Sequence, residues 1–564
     1  MLNIRSKCLL CGAFCLFLLG VGPRVASSAT IARILQTELN RNFAGLKAKA
    51  DPPPYFMAYE ATEQEEDSAV ASLGALLNTS HSHTRGVDTT VRVGSPQFDN
   101  YHPFKGSIGQ FTTFVPLSID DDPDQMNREL WLETDRVYKG ASQRLLQLKT
   151  DNELLVNDKD AGADFSSETP EVFSRLPEQY PVNMGNWEQK LRQWSFIFEK
   201  YPGILQSAVI VSNRRQVKTF VDTEGSSIEQ GSNLTRFEVS ASSIAPDGMS
   251  LFTFQSFEVS DPKHLPAENV LQGAVQKVAS DMEALLKAPP AEPFVGPAIL
   301  SGRASAVFFH EIFGHRIEGH RQKDIAEGQT FTKMLNQKVL PDFLSVVFDP
   351  TKQTFNGTDL NGYYEFDDQG VKARPVTVVD HGTLKTFLLS RSLVKPFEHS
   401  NGHGRRQAGR EVVSRQSNLI VESAKQVKDQ ELRQMLVEEI RKQGKPYGLY
   451  FDQVSSGYTT TRRQGLQAFT VVPLVVYRVY ADGRPDELIR GVDIVGTPLA
   501  SFQKILATSD HVSVFNGYCG AESGSVPVSA VSPAILVSEI EVQKQQNSQQ
   551  MPPLLPRPGP AVNR

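Results

Sequence analysis

A chain of 564 residues with a formal charge of −6 is too long for one ordinary core and carries no strong field toward polyanions or anionic membranes. Its 40% hydrophobic and 22% charged residues describe a globular protein of about two large domains and exclude nothing but a nucleic-acid partner, for which they give no basis.

The N-terminus reads as an address. Arg5 and Lys7 precede an apolar run from Cys8 to Gly22, shorter than a spanning helix requires. Ser27 and Ala29 fit the small-x-small rule for cleavage before Thr30, so residues 1–29 are expected to be a removable secretory signal. The mature protein is then secreted or periplasmic, with no stable membrane anchor; a retained anchor is the alternative. Cys8, Cys11 and Cys15 leave with the signal, and Cys519 is the one cysteine of the mature chain. A lone thiol in an oxidising compartment makes no internal disulfide and calls for burial, a metal or reactivity.

From Thr30, "TIARILQTELNRNFAGLK" has helical spacing and "DPPP" at 51–54 ends it. "YFMAYEATE", "SAVASLGALLNTSHSH" and "GVDTTVRVG" read as strands, with the polar "NTSHSH" of His81 and His83 itself expected as a loop. Helical spacing returns at "RELWLETDRVYKGASQRLLQLKTDNELL" and "NWEQKLRQWSFIFEKY", followed by the strand-rich stretches 205–225 and 235–259. A helix over 268–288 stops at "PPAEPFVGP", residues 289–297, which is expected as the boundary between an α+β N-terminal domain, 30–288, and a β-rich C-terminal domain, 297–543. That second domain offers strand candidates at 343–350, 374–390, 416–423, 469–496 and 534–543 and a helix at "DQELRQMLVEEIRKQ". Residues 544–564, rich in Gln and Pro, are expected to be a disordered tail.

Three of the chain's eleven histidines fall in "FFHEIFGHRIEGHRQ", residues 308–322. On a helix, Phe309, Phe313 and Ile317 stack on one side, with His310, Glu311, His315 and Glu318 on the polar arc opposite. His310 and His315 are five apart, so a regular helix separates them by about 140°, and convergence on one ion needs a distortion such as a π-bulge near Gly314. Two imidazoles and the thiolate of Cys519 would make a three-ligand Zn2+ site with a fourth position open, and Glu311 could act as its general base. The plain alternatives are a solvated or buried polar helix face, an inert buried thiol at Cys519, and a turn permitted by the glycines of "GYCGAESGSVP". His320 is swung round to the poorest position for a ligand, and His403 in "NGHGRR" is either structural or ligand-contacting.

Together, "HEIFGHRIEGH" and "GYCGAESGSVPVSAVSPAILVSEIEV" resemble the TldD/PmbA family of metalloproteases, on its TldD side; "NGHGRR" and "SRQSNL" also look like family segments. The resemblance implies His310, His315 and Cys519 as zinc ligands and Glu311 as the catalytic residue. It implies an α+β fold of two domains, a homodimer or a heterodimer with a related subunit, and an enclosed chamber admitting flexible peptide substrates. The chain departs from the family where its motif continues Gly-Asp, having Gly319 and His320 instead, and at "YTTTRRQGLQAFTVVPLVVYRVY". A zinc peptidase is thus the leading expectation. The competitors are a thiol hydrolase with Cys519 as nucleophile and a non-catalytic peptide-binding scaffold.

Overall fold

The computed structural model describes residues 28–104, 108–152, 162–324, 326–328, 330–462, 469–496, 501–545, 555 and 558. Residues 1–27 of the expected signal and nearly all of the expected tail lie outside them.

The first domain is one long-stranded antiparallel sheet with helices at its two ends. Helix α1 (Ser28–Lys49) leads into β1 (Pro54–Ser72) and β2 (Ala75–Ser95), joined at Leu73 and Gly74, whose φ angles of 49° and 77° make the turn. After α2 (Pro123–Asn152) and α3 (Met184–Ser195) come β3 (Gln206–Asp222), β4 (Ser227–Ile244), β5 (Ser250–Val259) and α4 (Glu268–Lys287). The long strands run in the order β2-β1-β3-β4-β5, each antiparallel to its neighbour. At one end, Leu35 and Leu39 of α1 and Leu130 and Val137 of α2 bury Met57, Tyr59 and Val91. At the other, Leu191 and Trp194 of α3 and Val275, Val278 and Met282 of α4 bury Val209, Val211, Phe237 and Val239. Between the two cores, Glu63 to Ser68 of β1 are half-buried on both faces.

The His81–His83 stretch is not a loop but part of β2. Its Asn, Thr, Ser and His residues look like turn formers. The turn is already made at Leu73 and Gly74, however, and acidic partners await across the strands: Asp67 opposite His81 and Glu65 opposite His83.

The second domain starts with β6 (Phe294–Leu300), which begins inside the Pro-rich stretch 289–297 and runs into α5 (Gly302–Ile312). Its main sheet includes β7 (Asn418–Ser423), β8 (Gly448–Thr459), β9 (Phe469–Val479), β10 (Val492–Gly496), β11 (Ile505–Ala521) and β12 (Gly524–Lys544). Strand β12 is the seam. It pairs with β11 and then β10 on one edge, and with β7 and then β6 on the other. Because β6 pairs β8, β8 pairs β9 and β9 pairs β10, the pairings close on themselves around the ring β12-β10-β9-β8-β6. Helix α5 packs on β8, β11 and β12 and is buried along its length except at Arg303. The residue pattern by itself offers no strand candidate over 497–533. There β11 brings Cys519 into place, and the glycine-rich segment forms the tip of its hairpin, with Cys519 opposite Val526.

Candidate metal centre

Helix α5 starts at a conventional cap: the Ser301 hydroxyl accepts from the Ala304 amide at 3.2 Å. Its end is less ordinary. No π-bulge occurs; the helix stops at Ile312 and a 3-10 turn follows over Gly314–Ile317. The buried Arg316 side chain closes the helix, donating from Nη1 to the carbonyls of Glu311 and Ile312, both at 3.2 Å. Burial lowers the Arg316 pKa to about 10. Tightening the chain there folds His315 back beside His310, and their rings meet edge to face with centroids 5.1 Å apart. Gly314 is needed for approach: a β-carbon there would lie 1.9 Å from Gln416 Oε1.

The helix is also not amphipathic in the expected sense, since both of its faces are buried. Its apolar side enters the core beside Phe331 and Phe502, and its polar arc borders a partly open cavity of about 480 Å³. Strands β8 and β11 form one wall of this cavity, and Arg236, Phe254, Ser256 and Glu258 of the N-terminal sheet form another. The two domains are locked around it by buried ion pairs, Lys218 with Asp368 at 2.6 Å and Lys323 with Asp164 at 2.6 Å.

The structure brings His310, His315 and Cys519 together, with one donor atom from each lying within 4.8 Å of the others, all buried. His315 Nε2 is 3.4 Å from Cys519 Sγ, and its Nδ1 faces Glu318 Oε2 at 3.3 Å. Glu318 in turn accepts from Arg321 Nε at 2.9 Å, so the imidazole is oriented with Nε2 toward the thiol. Arg415 holds the strand carrying the thiol, donating to the Cys519 carbonyl and, at 2.8 Å, to that of Gly524. Gln416 donates to the His310 carbonyl at 3.2 Å.

These contacts set the charges. Burial opposes the Cys519 thiolate, but the imidazoles of His315 and His310 and the guanidinium of Arg415 bring the thiol pKa well below its usual value. Burial likewise disfavours a charged His315, yet Cys519 and Glu318 hold its pKa well above the ordinary imidazole range. Glu318, despite burial, is brought down to about 2 by His315 and Arg321. Glu311 behaves oppositely. Burial pushes its carboxyl above the usual carboxylate range against the pull of both imidazoles, and its Oε2 sits 3.9 Å from His315 Nε2. A carboxylate with a raised pKa beside three soft donors can exchange protons with a molecule in the cavity.

His320 lies outside the cluster, 3.5 Å from Glu522. His403 is structural: fully buried, it contacts the Asn401 carbonyl and the Ser417 hydroxyl, and burial lowers its pKa to about 3. Glu318 was visible on the motif's arc. Arg415 and Gln416 were visible only as part of "SRQSNL", and nothing in their spacing pointed to the cluster.

Residues 295–544 match the family model of the PmbA/TldA metallopeptidase C-terminal domain. A protein of Archaeoglobus fulgidus named a metalloprotease is 26% identical over 338 residues, 59% of this chain and 72% of its own length. The zinc metalloprotease TldD homolog of Saccharolobus solfataricus is 25% identical over 248 residues, 44% of this chain and 51% of its own. Among solved structures, TldE from Thermococcus kodakarensis matches the fold with a TM-score of 0.56 at 12% identity, over 91% of this chain and 100% of that one.

Proposed function

We propose that this chain, whose C-terminal domain belongs to the TldD/PmbA family, is a zinc-dependent metallopeptidase that hydrolyses flexible peptides. The observation that carries the reading is the convergence of His310, His315 and Cys519 beside Glu311 on one cavity. The donors fit zinc: two imidazoles and a thiolate suit a borderline-soft ion, and Glu318 orients one of them from outside the cluster. Bound there, zinc supplies Lewis acidity toward a substrate carbonyl. Glu311 takes a proton from the attacking water onto its carboxylate and returns it to the leaving amine nitrogen. The walls contributed by both domains narrow the approach to the cluster, which favours an unfolded segment over a folded surface.

The test is Glu311→Gln. It should keep the metal, since Glu311 is not one of the three donors, and lower hydrolysis of a flexible peptide about 10²- to 10⁴-fold. Near-normal turnover would remove the assignment.

The short separation of Cys519 and His315 favours a second reading, a thiol hydrolase. Chelation separates the two: it would stop the metallopeptidase and spare the thiol enzyme. A chain that binds peptides and turns none over would be the scaffold. Assembly into a homodimer or with a related subunit belongs to the same proposal and is checked by light scattering. Export is a further part of it: exported protein should begin at Thr30 by N-terminal sequencing, and material beginning at Met1 would contradict this.

A further inference from the structure

We propose that the β1–β2 hairpin carries a second metal site, in which Glu63, Glu65 and His83 take a divalent first-row transition ion through oxygen and nitrogen donors alone. It stands independently of the peptidase reading. His83 Nε2 lies 2.7 Å from Glu63 Oε1 and 3.9 Å from Glu65 Oε1, and the three donor atoms all fall within 4.8 Å of one another. Strand alternation produces this grouping. Glu63 and Glu65 share one face of β1, His81 and His83 continue it on β2, and Thr62, Gln64 and Thr84 turn to the other face, where they line a cavity between the domains.

A hydrogen-bonded Glu63–His83 pair accounts for two of the three groups. It leaves Glu65, whose carboxylate faces the same imidazole nitrogen at 3.9 Å and whose neighbour across the strands on β3 is Arg215. A divalent cation satisfies both carboxylates at once, and imidazole with carboxylates is a donor set for zinc, manganese, iron or cobalt. The site also has an orienting partner. Arg85 Nη2 binds Glu63 Oε2 at 2.8 Å and leaves Oε1 facing His83. His81, two residues along the same strand and on the same face, contacts Asp67 through Nδ1 at 2.8 Å. The histidine pair thus has the i, i+2 spacing by which a strand presents two imidazoles to one side.

The experiment uses cobalt and zinc on the full mature chain. Wild type should bind two ions per chain and His83→Ala one. In a His310→Ala, Cys519→Ser variant one cobalt ion should remain, with weak visible d–d bands and no thiolate charge-transfer band, and adding Glu65→Gln should remove it. A metal count unchanged by His83→Ala, or no cobalt held by the His310→Ala, Cys519→Ser variant, overturns the proposal. Because residues 81 and 83 are on the half-exposed part of the sheet, His83→Ala leaves the fold intact, which circular dichroism checks. If the His310, His315 and Cys519 cluster takes no metal, the thiolate charge-transfer band is absent and wild type binds one ion, which His83→Ala removes, so the hairpin site is read from the difference between those two counts.

Discussion

Gln416 Oε1 occupies the place that a β-carbon on Gly314 would need, 1.9 Å from it. The side chain that braces the His310 carbonyl therefore depends on a missing side chain in the turn that presents His315.

Gly314→Ala should displace Gln416 or the turn, at a cost of roughly 1 to 3 kcal/mol of stability as an overpacked core site. Zinc content should fall with it, because the two imidazoles would no longer converge. Adding Gln416→Ala should recover much of the metal by opening the space. Elemental analysis and thermal melts on both variants check this, and full zinc occupancy in Gly314→Ala would contradict it.

Cys519 offers a test of the site's electrostatics. In chelator-treated protein its thiolate should persist below the ordinary thiol pKa of 9.0, because the neighbouring imidazoles and Arg415 favour it. Iodoacetamide labelling should then stay nearly flat from pH 9 to 7, where an ordinary thiol slows about tenfold per unit. Zinc should block the reaction. A rate falling in step with pH would show that the charges around the thiol are arranged otherwise.

His403 makes a prediction about acid stability away from the site. Buried and neutral in the fold, it has a pKa of about 3 there and 6.5 when unfolded. Between those values the unfolded chain binds the extra proton, so stability is present above pH 6.5 and is lost as pH falls. At about 1.4 kcal/mol per unit, the loss reaches roughly 5 kcal/mol by pH 3. His403→Gln should flatten the dependence of the urea midpoint on pH between 6.5 and 4. Parallel losses in wild type and variant would contradict it.

The sequence pointed to the residues of the cluster but not to their scaffold. His310, Glu311 and His315 could be placed on one arc by helical period, and Cys519 by being the lone mature cysteine. What period cannot give is the break after Ile312, because it depends on Arg316 capping carbonyls and on Gln416 arriving from about a hundred residues later. Strand β11 was hidden for a related reason. Its glycines and polar residues weaken the strand signal, and pairing with β12 supplies what propensity lacks. His81 and His83 erred the same way: local composition suggested a loop, while partners on β1 made a strand.

The closeness of His315 and Cys519, 204 positions apart in the chain, imposes an order of events. During synthesis both imidazoles emerge well before the thiol, which follows only near the last strand, and that strand closes the ring. An ion held by all three side chains would therefore be captured only after β11 has been made. A molecule truncated before β11 keeps the histidine motif in its sequence without the thiol that faces it.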